Sequence, residues 1–265
     1  MLTAAGVPQG TYGYLDDAGT GLNFDSMLND IKACPEGSVI LLHNCAHNPT
    51  GVDPTEDEWD QLVAVMSEKR LLPLFDNAYQ GFVSGNPTID AFAVRRFAEA
   101  GLEMLVACSF SKNFGLYGER AGALHVVAST EEGIQQVASQ LRVCSRALYS
   151  TCPAFGARIV ASVLGDEKIN CQWESDCMTM ATRLNEVRQD LYSKLIDMNV
   201  KGTWNHVIKQ RGMFSYTGIP KDAVDRLKAD YHIYMLGNGR ISLAGLNKGN
   251  TERFVTAVKE VLGQN

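Results

Sequence analysis

The stretch MLVACSFSKNFGLYGERAG, residues 104–122, joins a short apolar run to a polar segment with a lysine between two serines and two aromatic residues. The run MLVACS is apolar on both faces and too short for a helix, so it predicts a buried strand. Lys112 follows where that strand ends. A lysine in such a place is most often a solvated surface residue, because reactive lysines need a site around them. The rest of the chain decides whether such a site exists.

Three more apolar runs of strand length occur in the first half of the chain. They are VILLH (39–43), LLPLFD (71–76) and ALHVVA (123–128). Between them, Thr55 and Glu58 form a capping-box pattern that starts a helix, and a second helix is predicted over 89–100. Strands that alternate with helices indicate an α/β fold with a mainly parallel sheet covered by helices, in which ligands bind at the carboxyl ends of the strands.

The second half of the chain has a different pattern. Helical periodicity covers about 130–148 and then 155 to about 199. Asn238-Gly239 lies between the apolar runs YHIYML and RISL, which predicts a β-hairpin. We therefore divide the chain into a large α/β domain (1–166), a long connecting helix (167–198) and a small α+β C-terminal domain (199–265).

Composition narrows the classes of function. The chain has 265 residues and a net charge of -6, which argues against general affinity for nucleic acid or anionic membranes. Any anionic ligand must then be held by a few placed cations. Seven cysteines without a C-x-x-C pattern favour a reducing compartment, the cytoplasm or an organelle. No apolar run approaches the length needed to span a bilayer.

Polar residues follow three predicted strands at the points where the strands end. They are Asn48, Asp76, Tyr79, Ser109 and Lys112. Each has an ordinary alternative role, such as a turn residue, a helix cap or a core aromatic. Because the ends of neighbouring parallel strands meet at one edge of a sheet, we expect these side chains to share one crevice.

A lysine and an aspartate in one crevice suit the chemistry of pyridoxal phosphate. Lysine forms a Schiff base with the aldehyde of that cofactor, and a carboxylate keeps the pyridine nitrogen protonated. A tyrosine hydroxyl and an asparagine amide would bind the phenolic oxygen of the ring. Ser109 and Arg120, on either side of Lys112, would suit the phosphate.

Five motifs in order resemble the eukaryotic-type aspartate aminotransferases, which are fold type I pyridoxal phosphate enzymes. The motifs are HNCAHNPTG, FDNAYQGF, SFSKNFGLYGERAG, SRALYS and GNGRISLAG. The resemblance implies that Lys112 carries the cofactor and moves the proton, and that Asp76 binds the pyridine nitrogen. It also implies Tyr79 and Asn48 at the phenolic oxygen, and Ser109 and Arg120 at the phosphate.

The resemblance further implies a substrate site and a homodimer. Arg240 would bind the α-carboxylate of the substrate, with Asn48 beside it and Phe214 lining the site. Arg146 would reach the side-chain carboxylate from the neighbouring subunit. Two planar guanidinium groups facing one pocket select dicarboxylates, which are here amino acids and 2-oxo acids. The implied reaction passes the amino group between L-aspartate and 2-oxoglutarate.

The chain departs from the pattern of this family in two places. Ala147 and Thr151 stand where the family usually has proline and asparagine, which bears on the position of Arg146. The family also has an N-terminal region with a phosphate-binding loop and an aromatic that stacks on the cofactor ring, and this sequence does not contain it. We therefore expect the chain alone to be a weak or inactive aminotransferase, with TYGYL (11–15) as a sheet strand at an open edge.

Two other functions remain open from the sequence. Ser109-Phe-Ser-Lys112 matches the S-x-x-K pattern of serine acyl hydrolases, although no K-T-G accompanies it. An inactive remnant of the fold that only dimerises is the second alternative. His43 and His47 have metal-like spacing, but they straddle a strand end, so a core or supporting role is favoured over a metal site.

Overall fold

A computed structural model of the chain describes residues 3–263. Its first part is a four-stranded sheet with helices between the strands. The elements in chain order are α1 (Phe24–Ala33), β1 (Val39–His43), α2 (Glu56–Glu68), β2 (Leu72–Asn77), α3 (Pro87–Asp90), α4 (Phe92–Glu99), β3 (Met104–Ser109) and β4 (Gly122–Val127). The four predicted strands are all present, with bounds shifted by one residue at β2 and β4.

The sheet has the order β1-β2-β3-β4 and is mainly parallel. β1, β2 and β3 run parallel, and their register places His43 opposite Asp76 and Asp76 opposite Ala107. β4 is antiparallel to β3, with Ser109 opposite Gly122. Residues 110–121 connect β3 to β4 without a helix, and the chain returns antiparallel. The parallel ends of β2 and β3 thus lie side by side, as expected.

Local signals explain the helices of this part. The capping box is present, since Thr55 accepts a hydrogen bond from the Glu58 amide and the Glu58 carboxylate accepts one from the Thr55 amide. The single helix predicted over 89–100 is wrong, because α3 and α4 are separated at Ala91, where the helical backbone is interrupted. Trp59 of α2, Phe75 of β2 and Phe97 of α4 pack their rings together in the core.

The second part of the chain is mostly helical. Its elements are α5 (Glu131–Tyr149), α6 (Phe155–Gly165), α7 (Glu167–Asp197), α8 (Asn205–Lys209), β5 (Phe214–Tyr216), α9 (Lys221–Tyr231), β6 (Arg240–Ser242) and α10 (Thr251–Leu262). The periodic stretch from 155 to 199 is two helices, because Asp166 ends α6 and its carboxylate caps α7 by accepting from the Ile169 amide. No helix within residues 3–263 is long and apolar enough to cross a membrane.

The C-terminal part of the chain packs α7, α9 and α10 around a two-stranded sheet. Leu191, Leu227 and Val258 are buried in its core. The hairpin predicted at Asn238-Gly239 is wrong. The turn is present, with the Gly239 amide donating to the Leu236 carbonyl, but β6 pairs antiparallel with β5 and the run 233–236 forms no strand.

The segment TYGYL (11–15) is not a strand of the large sheet, so the prediction of a sheet strand at an open edge is wrong. Its one β contact is an isolated bridge between Leu15 and Leu22. The segment is held by side chains instead. Tyr12 donates its hydroxyl to the Leu41 carbonyl and Tyr14 to the Val52 carbonyl, each over 2.7 Å.

Candidate active site

Lys112 lies in the turn after β3, at the carboxyl edge of the parallel strands. Its Nζ is 4.6 Å from the centroid of the Tyr79 ring, and the side chain is half-buried. The pKa of Lys112 is lowered, chiefly by burial; the charge of Asp76 opposes this shift, and the charge of Arg120 adds to it. The cluster therefore gives Lys112 a larger fraction of neutral, nucleophilic amine than an exposed lysine has.

Asp76 lies near the end of β2, on the strand next to the one that leads to Lys112. Its charge acts on the pKa of both Lys112 and Tyr79. The loop after β2 then presents Tyr79, which is buried to an exposed fraction of 5%. The pKa of Tyr79 is raised, first by burial and then by Asp76, so its hydroxyl stays protonated and can donate a hydrogen bond.

Asn48 and Arg240 connect the loop after β1 to β6 at this site. Arg240 Nη1 donates to Asn48 Oδ1 over 2.6 Å, and Arg240 Cζ lies 4.4 Å from the centroid of the Phe214 ring. Phe214 in turn packs edge-on against Tyr79, with ring centroids 5.8 Å apart. One continuous chain of contacts thus runs through Lys112, Tyr79, Phe214, Arg240 and Asn48.

Ser109 and Arg120 lie beside this chain of contacts without joining it directly. Ser109 is the last residue of β3, and its Oγ accepts from the Ser111 amide over 3.3 Å. Arg120 donates from Nη1 to the Tyr117 carbonyl over 3.2 Å and is otherwise exposed. Its positive charge helps to lower the pKa of Lys112. Both residues are open to an added anion.

Arg146 is apart from the other predicted site residues. It is exposed in the last turn of α5, and in the part of the chain that the structure describes its guanidinium makes no hydrogen bond or ion pair. α5 has no buried residue along its whole length. The helix therefore presents Arg146 outward, away from the cluster of its own chain.

The loop that carries Asn48 is held by Asp53, which the sequence did not single out, and by His43, for which a core or supporting role was predicted. Asp53 accepts from the Ala46 and His47 amides over 2.7 and 2.8 Å. His43 Nδ1 accepts from the Asn48 amide over 3.2 Å. Such a carboxylate could have been suspected only from its place in HNPTGVDPT, close after a turn, because an aspartate that binds main-chain amides leaves no periodic signal.

The histidines of this loop pack against each other and not around a common ligand. The ring centroids of His43 and His47 are 4.4 Å apart, and Tyr14 stacks on His47 at 3.9 Å. Among residues 3–263 no group of three or more His, Cys, Asp or Glu side chains could hold a metal ion.

The donor set fits a phosphorylated pyridine aldehyde. The lysine has a lowered pKa and lies 4.6 Å from the ring of a tyrosine whose hydroxyl stays protonated, and a carboxylate lies near the end of the neighbouring strand. Arg120 adds a positive charge that acts on the lysine. These are the groups that an aldehyde, a ring nitrogen, a phenolic oxygen and a phosphate require.

A fold type I α/β sheet with a lysine at its carboxyl edge defines the class of this chain. The chain belongs to the aminotransferase class I and II family, whose model matches residues 1–258. The cytoplasmic aspartate aminotransferase of Dictyostelium discoideum is 47% identical over 258 residues, which are 97% of this chain and 59% of that protein. The chain thus spans about three fifths of the length of such relatives.

Solved structures agree with this assignment. A mitochondrial aspartate aminotransferase from Trypanosoma brucei has a TM-score of 0.95 and 42% identity, covering 98% of this chain and 68% of that one. An aromatic-amino-acid aminotransferase from Burkholderia pseudomallei, covalently bound to pyridoxal phosphate, has a TM-score of 0.95 and 39% identity, covering 98% and 65%. The prediction of fold and family from the five motifs is confirmed.

Proposed function

We propose that this chain is an aspartate aminotransferase that uses pyridoxal 5'-phosphate to pass the amino group between L-aspartate and 2-oxoglutarate, giving oxaloacetate and L-glutamate. The observation that supports it most is Lys112, with its lowered pKa, in a cluster that also contains Asp76, Tyr79 and Arg240. The names of the relatives support the same activity.

The proposed roles follow from the groups present. The cofactor, when bound, supplies an electron-withdrawing ring that stabilises negative charge at the substrate α-carbon. Lys112 is the covalent attachment point and then the base that takes the α-proton, which its lowered pKa favours. Asp76 keeps a ring nitrogen protonated. Tyr79 and Asn48 donate to the phenolic oxygen.

Arg120 and Ser109 are assigned to the phosphate. Arg120 brings a charge close to Lys112, and Ser109 brings a hydroxyl at the end of β3. Hydrogen bonds from charged donors to phosphate are the strong ones in proteins. The two residues would therefore fix the position of the ring relative to Lys112.

Two arginines are assigned to the substrate. Arg240 binds the α-carboxylate, where its contacts with Asn48 and the Phe214 ring hold the guanidinium in place. Arg146 binds the side-chain carboxylate of the neighbouring subunit's substrate, so the active form is a homodimer. Its exposed position on α5, a helix without buried residues that exposes Val143 and Leu148, supports this arrangement.

A dimerising protein without catalysis is the second candidate, because the same exposed helix would serve it equally well. The seven cysteines are all free, which supports the proposal of a reducing compartment, the cytoplasm in the first instance. Relatives include cytoplasmic and mitochondrial proteins.

The test is amino transfer by the purified chain with pyridoxal phosphate, aspartate and 2-oxoglutarate, followed as oxaloacetate formation. Wild-type protein should form oxaloacetate at the low rate expected of the chain alone, and Lys112→Ala should lose that activity. A wild-type rate no higher than that of Lys112→Ala would contradict the proposal and favour the dimerising protein.

A further inference from the structure

Arg188, in the middle of α7, is a buried cation with an exposed fraction of 2%. Its guanidinium donates to three main-chain carbonyls: Val207 over 2.8 Å, Gly212 over 2.7 Å and Phe214 over 3.0 Å. Within residues 3–263 no carboxylate pairs with it. Burial lowers the pKa of Arg188 to about 10, so it stays charged at neutral pH. Removing a charge from water costs free energy, and the three carbonyls offset that cost by taking the place of hydrogen bonds to water.

The three carbonyls belong to the segment that leads from α8 into β5. The opposite side of this segment contacts the Asn48 loop. The Arg211 amide donates to the Gly51 carbonyl over 2.6 Å. Gly212 has a φ of 78°, and a Cβ built on it would lie 2.4 Å from the Cβ of Ala46. The segment is therefore held between Arg188 on one side and the loop on the other.

Phe214 connects this segment to the proposed site. Its carbonyl is bound by Arg188, and its ring lies between Arg240 and Tyr79 at 4.4 and 5.8 Å. A main-chain shift at Phe214 would move the ring and remove the surface on which the Arg240 guanidinium rests. Among residues 3–263, Arg188 makes its hydrogen bonds to the three carbonyls and none to Lys112 or Tyr79.

We propose that Arg188 is a positioning residue for the binding of the substrate carboxylate: its guanidinium fixes the main chain at Gly212 and Phe214, and Phe214 then holds Arg240. The inference rests on the proposed function, in which Arg240 binds the α-carboxylate. A planar fork can serve several carbonyls at once, whereas the lysine ammonium is a single point charge on a shorter reach. Arg188→Lys therefore keeps the positive charge but should not keep the hydrogen bonds to all three carbonyls.

The first test needs only the wild-type protein with pyridoxal phosphate. Amide hydrogen exchange of residues 211–216 is measured with and without succinate, a dicarboxylate that has no amino group to transfer. If Arg188 orders the segment, these amides exchange slowly before succinate is added, with protection close to that of β3. Fast exchange that slows only with succinate would overturn the proposal, because the ligand would then order the segment.

The second test compares Arg188→Lys with Arg253→Lys. Arg253 also donates to a main-chain carbonyl, that of Tyr231 over 2.7 Å, but away from the site. Arg188→Lys should speed exchange at 211–216 and weaken succinate binding by about tenfold or more, the effect of losing one charge-assisted hydrogen bond. The affinity for pyridoxal phosphate should stay within about twofold, which is well inside that effect. Arg253→Lys should change none of these.

Two results would overturn the role of Arg188. One is unchanged succinate affinity in Arg188→Lys. The other is an equal loss of succinate and cofactor affinity, which would mark general damage to the fold. If wild-type protein with bound cofactor does not bind succinate, the proposed function fails, and the link of Arg188 to substrate fails with it, while slow exchange at 211–216 would still show that the segment is ordered.

Discussion

Arg240 and Asn48 are 192 positions apart in the chain, and the hydrogen bond between Arg240 Nη1 and Asn48 Oδ1 is 2.6 Å long. Arg240 is the first residue of β6, and Asn48 lies in the loop after β1. In the proposed site, Asn48 also faces the cofactor. This pair therefore couples the place where the substrate binds to the place where it reacts.

Arg240→Lys should weaken the binding of all amino-acid substrates alike, because each of them has an α-carboxylate. Loss of the fork removes charge-assisted hydrogen bonds worth roughly 1.5–3 kcal/mol each, or about ten- to a hundredfold in KM. The measurement is KM for aspartate and for alanine, with Arg253→Lys as the control. An effect on aspartate alone would show that Arg240 binds the side-chain carboxylate.

Arg146→Ala should slow the reaction of aspartate but not that of alanine. In the proposed dimer Arg146 pairs with the substrate's side-chain carboxylate at the subunit interface. Removing one partner of such a pair costs on the order of 3–5 kcal/mol, so kcat/KM for aspartate should fall by a hundredfold or more. Alanine, which lacks a side-chain carboxylate, should react nearly as before. Arg142→Ala, one turn earlier on α5, is the matched control. Equal losses for aspartate and alanine would make Arg146 structural.

Asp76→Asn should reduce turnover far more than cofactor retention. The substitution removes the charge that keeps the ring nitrogen protonated but leaves Lys112 and the phosphate-binding residues in place. Turnover is measured with saturating pyridoxal phosphate, and retention by titrating the visible absorbance of the bound cofactor. Unchanged turnover would rule out this role for Asp76.

His47 should make the protein less stable in mild acid. Its pKa is lowered to about 3, first by burial and then by His43. The unfolded chain binds a proton near pH 6.5 and the folded chain does not, so this stabilisation is complete above pH 6.5 and is lost as the pH falls toward 3. Between pH 7 and pH 5 the loss is about 2 kcal/mol.

Urea unfolding of wild type and His47→Gln at both pH values checks this expectation. The variant should lose about 2 kcal/mol less than wild type over that interval. His125→Gln, an exposed histidine on β4, should behave like wild type. Parallel pH dependence in wild type and His47→Gln would show that His47 is not held neutral.

Apolar runs and capping residues predicted the strands and the start of α2, because both signals depend on residues close together in the sequence. They did not predict which strands pair. The run 233–236 looks like a strand, but β6 pairs with β5 instead, a choice made by packing across the small domain. The same signals likewise did not predict that β4 runs antiparallel to β3.

Some residues of the candidate site could also be predicted from the sequence, and others could not. Lys112 and Asp76 could be found because polar residues stand out where buried strands end. Arg188 could not, because its main-chain partners are 19 to 26 positions away. Asp53 had only its place close after a turn as a signal. Arg188 has the sequence context of an ordinary helical arginine, and only the fold buries it. The N-terminal segment 11–15 was mistaken for a sheet strand because alternating aromatic residues fit both a strand and a loop held by tyrosine hydroxyls.

Covalent capture of the cofactor tests the central claim, that Lys112 is the attachment point, most directly. Wild-type protein is incubated with pyridoxal phosphate, reduced with borohydride, digested and mapped by mass spectrometry. We predict a single reduced adduct on Lys112, present in Asp76→Asn and absent from Lys112→Ala. An adduct on Lys69 or another lysine in wild type, or no adduct at all, would contradict the account.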